Sequence, residues 1–263
     1  MQNRGWLSMR YEALSCQIEN QVMIINLPAI ANYHTKITQL TDELSDVCTA
    51  AASEKEVRAV IINWEQDEPP AGTDLAGFGS VRGEYETAPL SLTAAVVKLD
   101  IPVIASINGY AIGQALELVL ACDIRIASET SYFAMPHIQT GMIPWDGGTQ
   151  RLSRLVGKGK AIELILTAEM IDAQEAHRIG LVNRIVEAKE LLSAVNEMAH
   201  AVAAKGPIAL RYAKEAVLQG LDMTLEQGLR LEADLYFILH TTRDRTEGIK
   251  AFQKKRKAKY KGK

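Results

Sequence analysis

The chain has 263 residues, of which 48% are hydrophobic and 23% are charged, an ordinary composition for a globular protein that can bury a large core without disulfides or structural metal. Its net charge of −3 gives no general support for a protein that binds nucleic acid or membranes, and no apolar run approaches the roughly 18 residues of a membrane-spanning helix. The three cysteines, Cys16, Cys48 and Cys122, are too few and too scattered for a disulfide framework. Because residues 1–10 also lack the apolar region of a signal peptide, we expect a cytoplasmic protein.

The elements predicted from apolar periodicity alternate between strands and helices up to about residue 186. The predicted strands cover residues 14–19, 22–27, 57–63, 103–107, 124–127, 132–134 and 182–186, with turns around Asn20 and at Asn108-Gly109. The predicted helices cover residues 35–53, 87–99, 111–121, 146–156 and 161–166, and most of the chain from about residue 188 onward, with breaks at Gly206-Pro207 and near Thr241. This alternation predicts a largely parallel α/β core in residues 1–190, which carries the functional site, and a helical region in residues 191–263.

Glu117 is the one ionisable residue of the predicted helix 111–121, which is otherwise apolar nearly all round. Such a helix is typical of a protein interior, and the residues three and four positions from Glu117 carry no positive charge. Burying an unpaired carboxylate is costly, and acids in such surroundings are concentrated at functional sites. The alternatives are a single solvated position on the helix or a distant arginine partner.

Two glycine-containing segments follow predicted core strands. One is Ala71-Gly72-Thr73-Asp74-Leu75, and the other is residues 108–114, with Gly109 and Gly113 just before the helix of Glu117. Ligands of α/β proteins bind at the carboxyl ends of the strands, and a helix N-terminus presents N–H groups there. Neither segment has the sequence of a phosphate or dinucleotide loop. Taken alone, each is also compatible with an ordinary turn between a strand and a helix.

In their order and spacing, these and further motifs resemble the crotonase (enoyl-CoA hydratase/isomerase) superfamily over nearly the whole chain. The matching segments are residues 71–75 (AGTDL), 102–111 (PVIASINGYA), 117–123 (ELVLACD), 141–144 (GMIP), 147–152 (GGTQRL), 173–176 (AQEA), 180–182 (GLV) and 245–252 (RTEGIKAF). The resemblance implies an α/β fold, a crotonase-like spiral of ββα units with a C-terminal helical region that supports homotrimers or hexamers. It also implies an acyl-CoA substrate, with no cofactor beyond that coenzyme A.

The resemblance also assigns roles to individual residues. It implies that the backbone N–H groups of Thr73 and Gln114 form an oxyanion hole, and that Glu117 is a general acid/base. Two preorganised donors of this kind stabilise the negative charge that a thioester carbonyl gathers in an enolate. The residues implied to lie beside the substrate are Ala71, Gly72, Asp74 and Gly113.

Two residues here depart from the hydratase pattern, because His137 stands where a second glutamate is usual and Asp146 stands where many members have a small residue. Trp145 and Asp146 follow a few residues later, and a His and an Asp in this relation resemble the β-diketone hydrolase branch of the superfamily, similar to 6-oxocamphor hydrolase. That resemblance implies that His137 activates water and that Asp146 orients the histidine. We also expect Trp145 to contact the substrate. The alternatives are a loop histidine and, for Asp146, an N-cap of the predicted helix 146–156.

The expected coenzyme A contacts are less well matched. Residues 27–32 lack the cation that the family usually carries there, and the first cation afterwards is Lys36. The tail resembles that of coenzyme A-binding members, which implies that Phe252 and Lys255 meet the adenosine end. A lysine-rich terminus is otherwise typical of a solvated tail.

We therefore expect an acyl-CoA enzyme that hydrates or isomerises a double bond through an enolate. The alternative within the superfamily is hydrolytic C–C cleavage of a β-dicarbonyl compound. An alternative of another class is a non-catalytic RNA-binding member, but nucleic acid is a poor candidate because seven cations lie in the last ten residues rather than across a face. No set of His, Cys, Asp and Glu has metal-ligand spacing.

Overall fold

The computed structural model describes residues 11–27, 33–67 and 91–263. The strands are β1 (Ser15–Glu19), β2 (Val22–Leu27), β3 (Ala59–Gln66), β4 (Val103–Ile112), β5 (Ile124–Ser128), β6 (Tyr132–Ala134), β7 (Ile171–Asp172) and β8 (Arg184–Val186). The helices are α1 (Tyr33–Ser53), α2 (Thr93–Val96), α3 (Gln114–Ala121), α4 (Gly148–Val156), α5 (Lys158–Thr167), α6 (Ala173–Arg178), α7 (Leu191–Ala203), α8 (Pro207–Gly220), α9 (Leu225–Leu239) and α10 (Arg243–Gln253).

The sheet is mainly parallel, in the order β1-β2-β3-β4-β5-β8. Only the first hairpin of this path, β1 with β2, is antiparallel. The short strand β6 pairs in parallel with the end of β4 and antiparallel with β7. These elements confirm the predicted α/β fold with a helical C-terminal region.

Both faces of the parallel sheet are covered, which explains its continuous apolar strands. Helices α1, α2 and α3 contribute to the larger core on one face, and α7 packs on the other through Leu191, Val195 and Ala199. Helix α7 therefore packs on the strands although it follows residue 190. The division of the chain at residues 190 and 191 stays a prediction.

The predicted turn at Asn108-Gly109 is wrong, because β4 runs through both residues to Ile112. Residues Ile104 to Ile107 pair with β5, and the continuation from Tyr110 pairs with β6. Gly109 has φ 82° and lies opposite Gln66 of β3. A Cβ there would stand 2.0 Å from the Gln66 carbonyl oxygen, so the glycine allows close approach within a strand and does not end it.

Two predicted helices begin later than their sequence suggests. The helix of Glu117 starts at Gln114, because β4 occupies the preceding residues. Helix α4 starts at Gly148, with Gly147 as its N-cap at φ 99°, so the prediction that Asp146 caps this helix is wrong. In the predicted helix 87–99, the structure describes the residues from 91 onward, of which Thr93–Val96 are helical.

The C-terminal helices break at Gly206-Pro207 and near Thr241, as predicted. A further break separates α8 from α9, and Thr224 and Gln227 form a capping box at the new helix start. Beyond Gln253 the tail leaves the helical conformation.

The cysteines are free thiols, and Cys48 and Cys122 are buried, as expected. Burial raises the pKa of both thiols to about 12, so they are protonated at neutral pH. In the described residues, no helix is both long and apolar enough to cross a membrane.

Candidate active site

Glu117 lies one turn into α3, a helix whose other residues from Gln114 to Leu120 are also buried. Its side chain is 0% exposed. Its Oε1 accepts hydrogen bonds from the backbone N–H groups of Asp146 and Gly148, each at 2.8 Å. Backbone donors on a carboxylate form charge-assisted hydrogen bonds, which offset part of the cost of burial. Among the described residues, no lysine or arginine forms an ion pair with Glu117.

Gly148 is the first residue of α4, so its N–H belongs to the positive end of that helix. A Cβ on Gly148 would stand 2.9 Å from Oε1 of Glu117 and 2.8 Å from Cβ of Pro144. Only glycine therefore lets the helix end approach the carboxylate this closely. The carboxylate takes the position that an N-cap side chain fills in other helices.

His137 lies in a 3-10 turn, Pro136–Thr140, that follows β6, and its side chain is 0% exposed. Its Nε2 is 3.6 Å from Oε2 of Glu117, which is too long for a direct hydrogen bond. Oε2 accepts no hydrogen bond from the described residues. The structure thus brings together two of the predicted catalytic side chains, with their reactive atoms facing each other away from solvent.

Gln114 begins α3, three residues before Glu117, and is 1% exposed. Gly113 precedes it with φ 62° and donates its N–H to the carbonyl of Ala134 at 2.9 Å. This bond fixes the start of α3 against β6, the strand that leads to His137. The hydrogen bond between Gly113 and Ala134 therefore links the start of α3, which carries Glu117, to the segment that carries His137.

The other predicted oxyanion residue, Thr73, lies outside the described residues, as do Ala71, Gly72 and Asp74. The convergence of the Thr73 and Gln114 N–H groups on one oxygen stays a prediction.

Asp146 contacts the site through its backbone N–H group, whereas a contact of its carboxylate with His137 was expected. Its backbone N–H binds Glu117, but its carboxylate accepts hydrogen bonds from Ser91 and Thr93. Ser91 and Thr93 thus supply the donors that the structure shows at this carboxylate, and the orientation of His137 by Asp146 stays a prediction.

The remaining predicted substrate contacts are Trp145, Phe252 and Lys255. Trp145 is half-buried next to Asp146. Phe252, near the end of α10, is 86% exposed, and Lys255 follows that helix at φ 51°. The substrate contacts of these three residues stay predictions. Across residues 11–27, 33–67 and 91–263, no cluster of three or more His, Cys, Asp and Glu has the arrangement of a metal site.

Sequence reasoning missed the donors that hold Glu117, which are the N–H groups of Asp146 and Gly148. It also missed Ser91 and Thr93 as partners of Asp146. The adjacent glycines Gly147 and Gly148 were a usable signal, because a glycine pair before a helix often marks a close backbone approach.

Comparison with known proteins identifies the family. The family model described as enoyl-CoA hydratase/isomerase matches residues 17–263. The chain belongs to this family. A crotonyl-CoA hydratase of Syntrophomonas wolfei is 37% identical over 259 residues, which cover 96% of this chain and 99% of that protein. A short-chain-enoyl-CoA hydratase of Clostridium acetobutylicum is 35% identical over 241 residues, which cover 90% of this chain and 92% of that protein.

Solved structures support the same conclusion for the fold. The crystal structure of an enoyl-CoA hydratase from Bacillus anthracis matches with a TM-score of 0.85 at 34% identity, covering 96% of this chain and all of the other. The superfamily predicted from the motifs is therefore confirmed, and the chain is an enzyme of the enoyl-CoA hydratase/isomerase family. The comparisons give no support to the β-diketone hydrolase branch.

Proposed function

We propose that this enzyme adds water to the double bond of a short-chain 2-enoyl-CoA thioester. The observation that carries the proposal is the buried pair of Glu117 and His137, whose reactive atoms are 3.6 Å apart. The short acyl chain is proposed from the relatives, which are named as hydratases of crotonyl-CoA and of short-chain enoyl-CoA.

The geometry of the pair suits a shared water molecule. Hydrogen bonds to oxygen or nitrogen are about 2.8 Å long, so one water can lie within reach of both Oε2 of Glu117 and Nε2 of His137. Burial excludes bulk water, which strengthens the electrostatic interactions at the site. A carboxylate and an imidazole can act as one base and one acid near neutral pH.

In the proposed reaction, the water oxygen bonds to C3 of the enoyl group, and Glu117 takes the proton that the water loses. The electron pair of the C2–C3 double bond moves into the thioester, where the N–H groups of Gln114 and Thr73 bind the enolate oxygen. The imidazolium of His137 then donates a proton to C2. Transfer of the proton from Glu117 to His137 restores the starting state, so one water is consumed per product.

The coenzyme A portion of the substrate is the only coenzyme this mechanism uses. We propose that Phe252 and Lys255 contact its adenosine end, as their resemblance to coenzyme A-binding members implies. Isomerisation of the double bond would instead pass through the dienolate that forms when a base removes a proton from C4, and analysis of the products from the same substrates distinguishes it from hydration. A cytoplasmic location also stays a prediction.

The proposal is tested by following loss of the enoyl-thioester absorbance with crotonyl-CoA and longer 2-enoyl-CoA substrates. We expect Glu117→Gln and His137→Ala to lower kcat/KM by about 10²–10⁴-fold, the usual contribution of a general acid or base. The glutamine keeps an oxygen that can accept the two N–H groups, so the variant should fold. The matched controls are Glu197→Gln and His200→Ala, which change exposed side chains of α7.

Three results would contradict the proposal. Hydration that survives His137→Ala but not Glu117→Gln removes His137 from the mechanism. Turnover of cyclic β-diketones with no turnover of enoyl-CoA favours the C–C hydrolase alternative. If neither enoyl-CoA nor β-diketones are turned over and RNA is retained on a filter in a salt-dependent way, the RNA-binding alternative is favoured.

A further inference from the structure

We infer that Asp146 is a positioning residue for Glu117, and that it fixes the turn 145–148 by anchoring it to the start of α2. The inference rests on the proposed function, because Glu117 is the general base of that proposal. It differs from the role expected from the sequence, in which Asp146 would orient His137.

The side chain of Asp146 is buried and has several donors. The residue is 6% exposed. Oδ1 accepts the hydroxyl hydrogens of Ser91 at 2.5 Å and Thr93 at 2.7 Å, and Oδ2 accepts the backbone N–H of Thr93 at 3.1 Å. Helix α2 begins at Thr93, so the carboxylate fixes the position of that helix end relative to the turn.

The backbone of Asp146 is held as firmly as its side chain. Its N–H donates to Oε1 of Glu117 at 2.8 Å, and its carbonyl accepts from Nη1 of Arg151 at 2.8 Å. The same Nη1 would be 2.0 Å from a Cβ on Gly147, so the guanidinium lies directly against the turn. The three polar groups of Asp146 are therefore fixed by three separate elements, α2, α3 and α4.

This arrangement has a consequence for Glu117. The Gly148 N–H also binds Oε1, so both of its backbone donors come from the turn that Asp146 anchors. A shift of this turn moves both donors together and with them the carboxylate that faces His137. Placing two buried carboxylates next to each other opposes folding, and the hydrogen bonds to Ser91 and Thr93 offset that cost. A small apolar residue would avoid the cost and would leave the turn without its link to α2.

The test compares Asp146→Ala and Asp146→Asn with the parent enzyme on crotonyl-CoA. We expect Asp146→Ala to lower kcat by about 10–100-fold while KM changes by less than about twofold, because a small displacement of a catalytic group affects the chemical step. Asp146→Asn should lose less, because its amide oxygen keeps one acceptor. The control Asp123→Asn alters a carboxylate whose donors are the Val103 N–H and the Lys214 ammonium, each at 2.7 Å, rather than groups of the turn, and it should lower the Tm without a loss of kcat.

A double-mutant cycle separates positioning from general stabilisation. If Asp146 acts through Glu117, the kcat loss from Asp146→Asn should shrink to less than about twofold in a Glu117→Gln background. An equal loss in both backgrounds, or unchanged kcat in Asp146→Ala, would overturn the inference. Should Asp146→Ala fail to fold, Ser91→Ala and Thr93→Val remove single donors and are expected to lower kcat in the same direction. If kcat is unchanged in both Ser91→Ala and Thr93→Val, the inference is overturned as well.

A second measurement does not depend on the reaction. Hydrogen–deuterium exchange of a peptide containing residues 144–148 should be at least about tenfold faster in Asp146→Asn than in the parent enzyme, because the anchored amides open more often. Unchanged exchange overturns the positioning role even if hydration is observed. Faster exchange in an enzyme that hydrates no enoyl-CoA supports the anchor and contradicts only the proposed function.

Discussion

The carboxylate of Glu117 connects catalysis to the packing of two helices. It lies on α3 and accepts the first N–H group of α4, so the residue proposed to act as the base also completes the N-terminus of a neighbouring helix. Removing the carboxyl group would leave two buried N–H donors, at a cost of about 1–3 kcal/mol each. Glutamine is therefore the informative replacement, because alanine would mix a loss of stability with a loss of the base.

Gly148→Ala tests whether this close contact sets the position of the base. The added methyl group would stand 2.9 Å from Oε1 of Glu117 and 2.8 Å from Cβ of Pro144. The carboxylate must therefore move, and we expect kcat for crotonyl-CoA to fall by about 10²-fold with little change in KM. Steady-state kinetics with a Tm measurement check this prediction.

The matched control is Gly159→Ala in α5, where a Cβ would meet nothing within 4 Å. That substitution should leave kcat unchanged and should stabilise the helix slightly, as alanine usually does in place of glycine. Equal kinetic effects of the two substitutions would show that the contact at Gly148 does not position Glu117.

At the residue scale, the sequence predicts which side chains are unusual better than it predicts their partners. Glu117 stands out because an acid in an apolar helix is rare, and its burial follows from its neighbours in the helix. The partners of Asp146 could not be predicted in the same way. Ser91 and Thr93 are more than 50 residues distant in sequence, and only the tertiary fold brings them to this carboxylate.

At the scale of elements, strand and helix interiors follow their apolar pattern, and their ends depend on neighbouring strands. Val22–Leu27 and Tyr132–Ala134 have the predicted bounds, since each begins after a polar residue and each has a proline one or two residues beyond its end. Asn108-Gly109 is typical of a turn in isolation. It continues β4 here because Glu65 and Gln66 of β3 pair with it.

Gly109→Ala tests the requirement for glycine inside β4. The residue has φ 82°, and a Cβ would overlap the Gln66 carbonyl oxygen at 2.0 Å. A left-handed conformation alone costs a residue other than glycine about 1–3 kcal/mol, and separation of β3 from β4 would add to it. We expect the free energy of unfolding to fall by at least about 2 kcal/mol in a denaturant titration.

The control for this element is Gly220→Ala at the end of α8, where a Cβ would meet nothing within 4 Å and φ is not positive. It should change the free energy of unfolding by less than about 1 kcal/mol. If Gly109→Ala were equally mild, β4 would tolerate a side chain there, and the change from pairing with β5 to pairing with β6 would not depend on glycine.

At the scale of the whole molecule, helices α8 and α9 leave large apolar side chains in solvent. Leu221, Leu225 and Phe237 are 65%, 80% and 67% exposed. The members of this apolar set are Val217, Leu218, Leu221, Leu225, Leu229 and Phe237. Clustered exposed apolar residues mark interaction surfaces in soluble proteins. The family resemblance implies homotrimers or hexamers, so we propose that this set contributes to contacts between subunits.

Sedimentation equilibrium tests the assembly directly. We expect a mass three or six times the 28.9 kDa of the chain at micromolar concentrations. Leu225→Glu places a charge in the apolar set, and its desolvation should oppose association and shift the mass toward that of one chain. Leu192→Glu on α7 is the control, because Leu192 is also exposed, at 59%, and lies outside this set. A parent protein that sediments as a single chain, or a Leu225→Glu variant that assembles as the control does, would show that α8 and α9 expose these side chains for another reason.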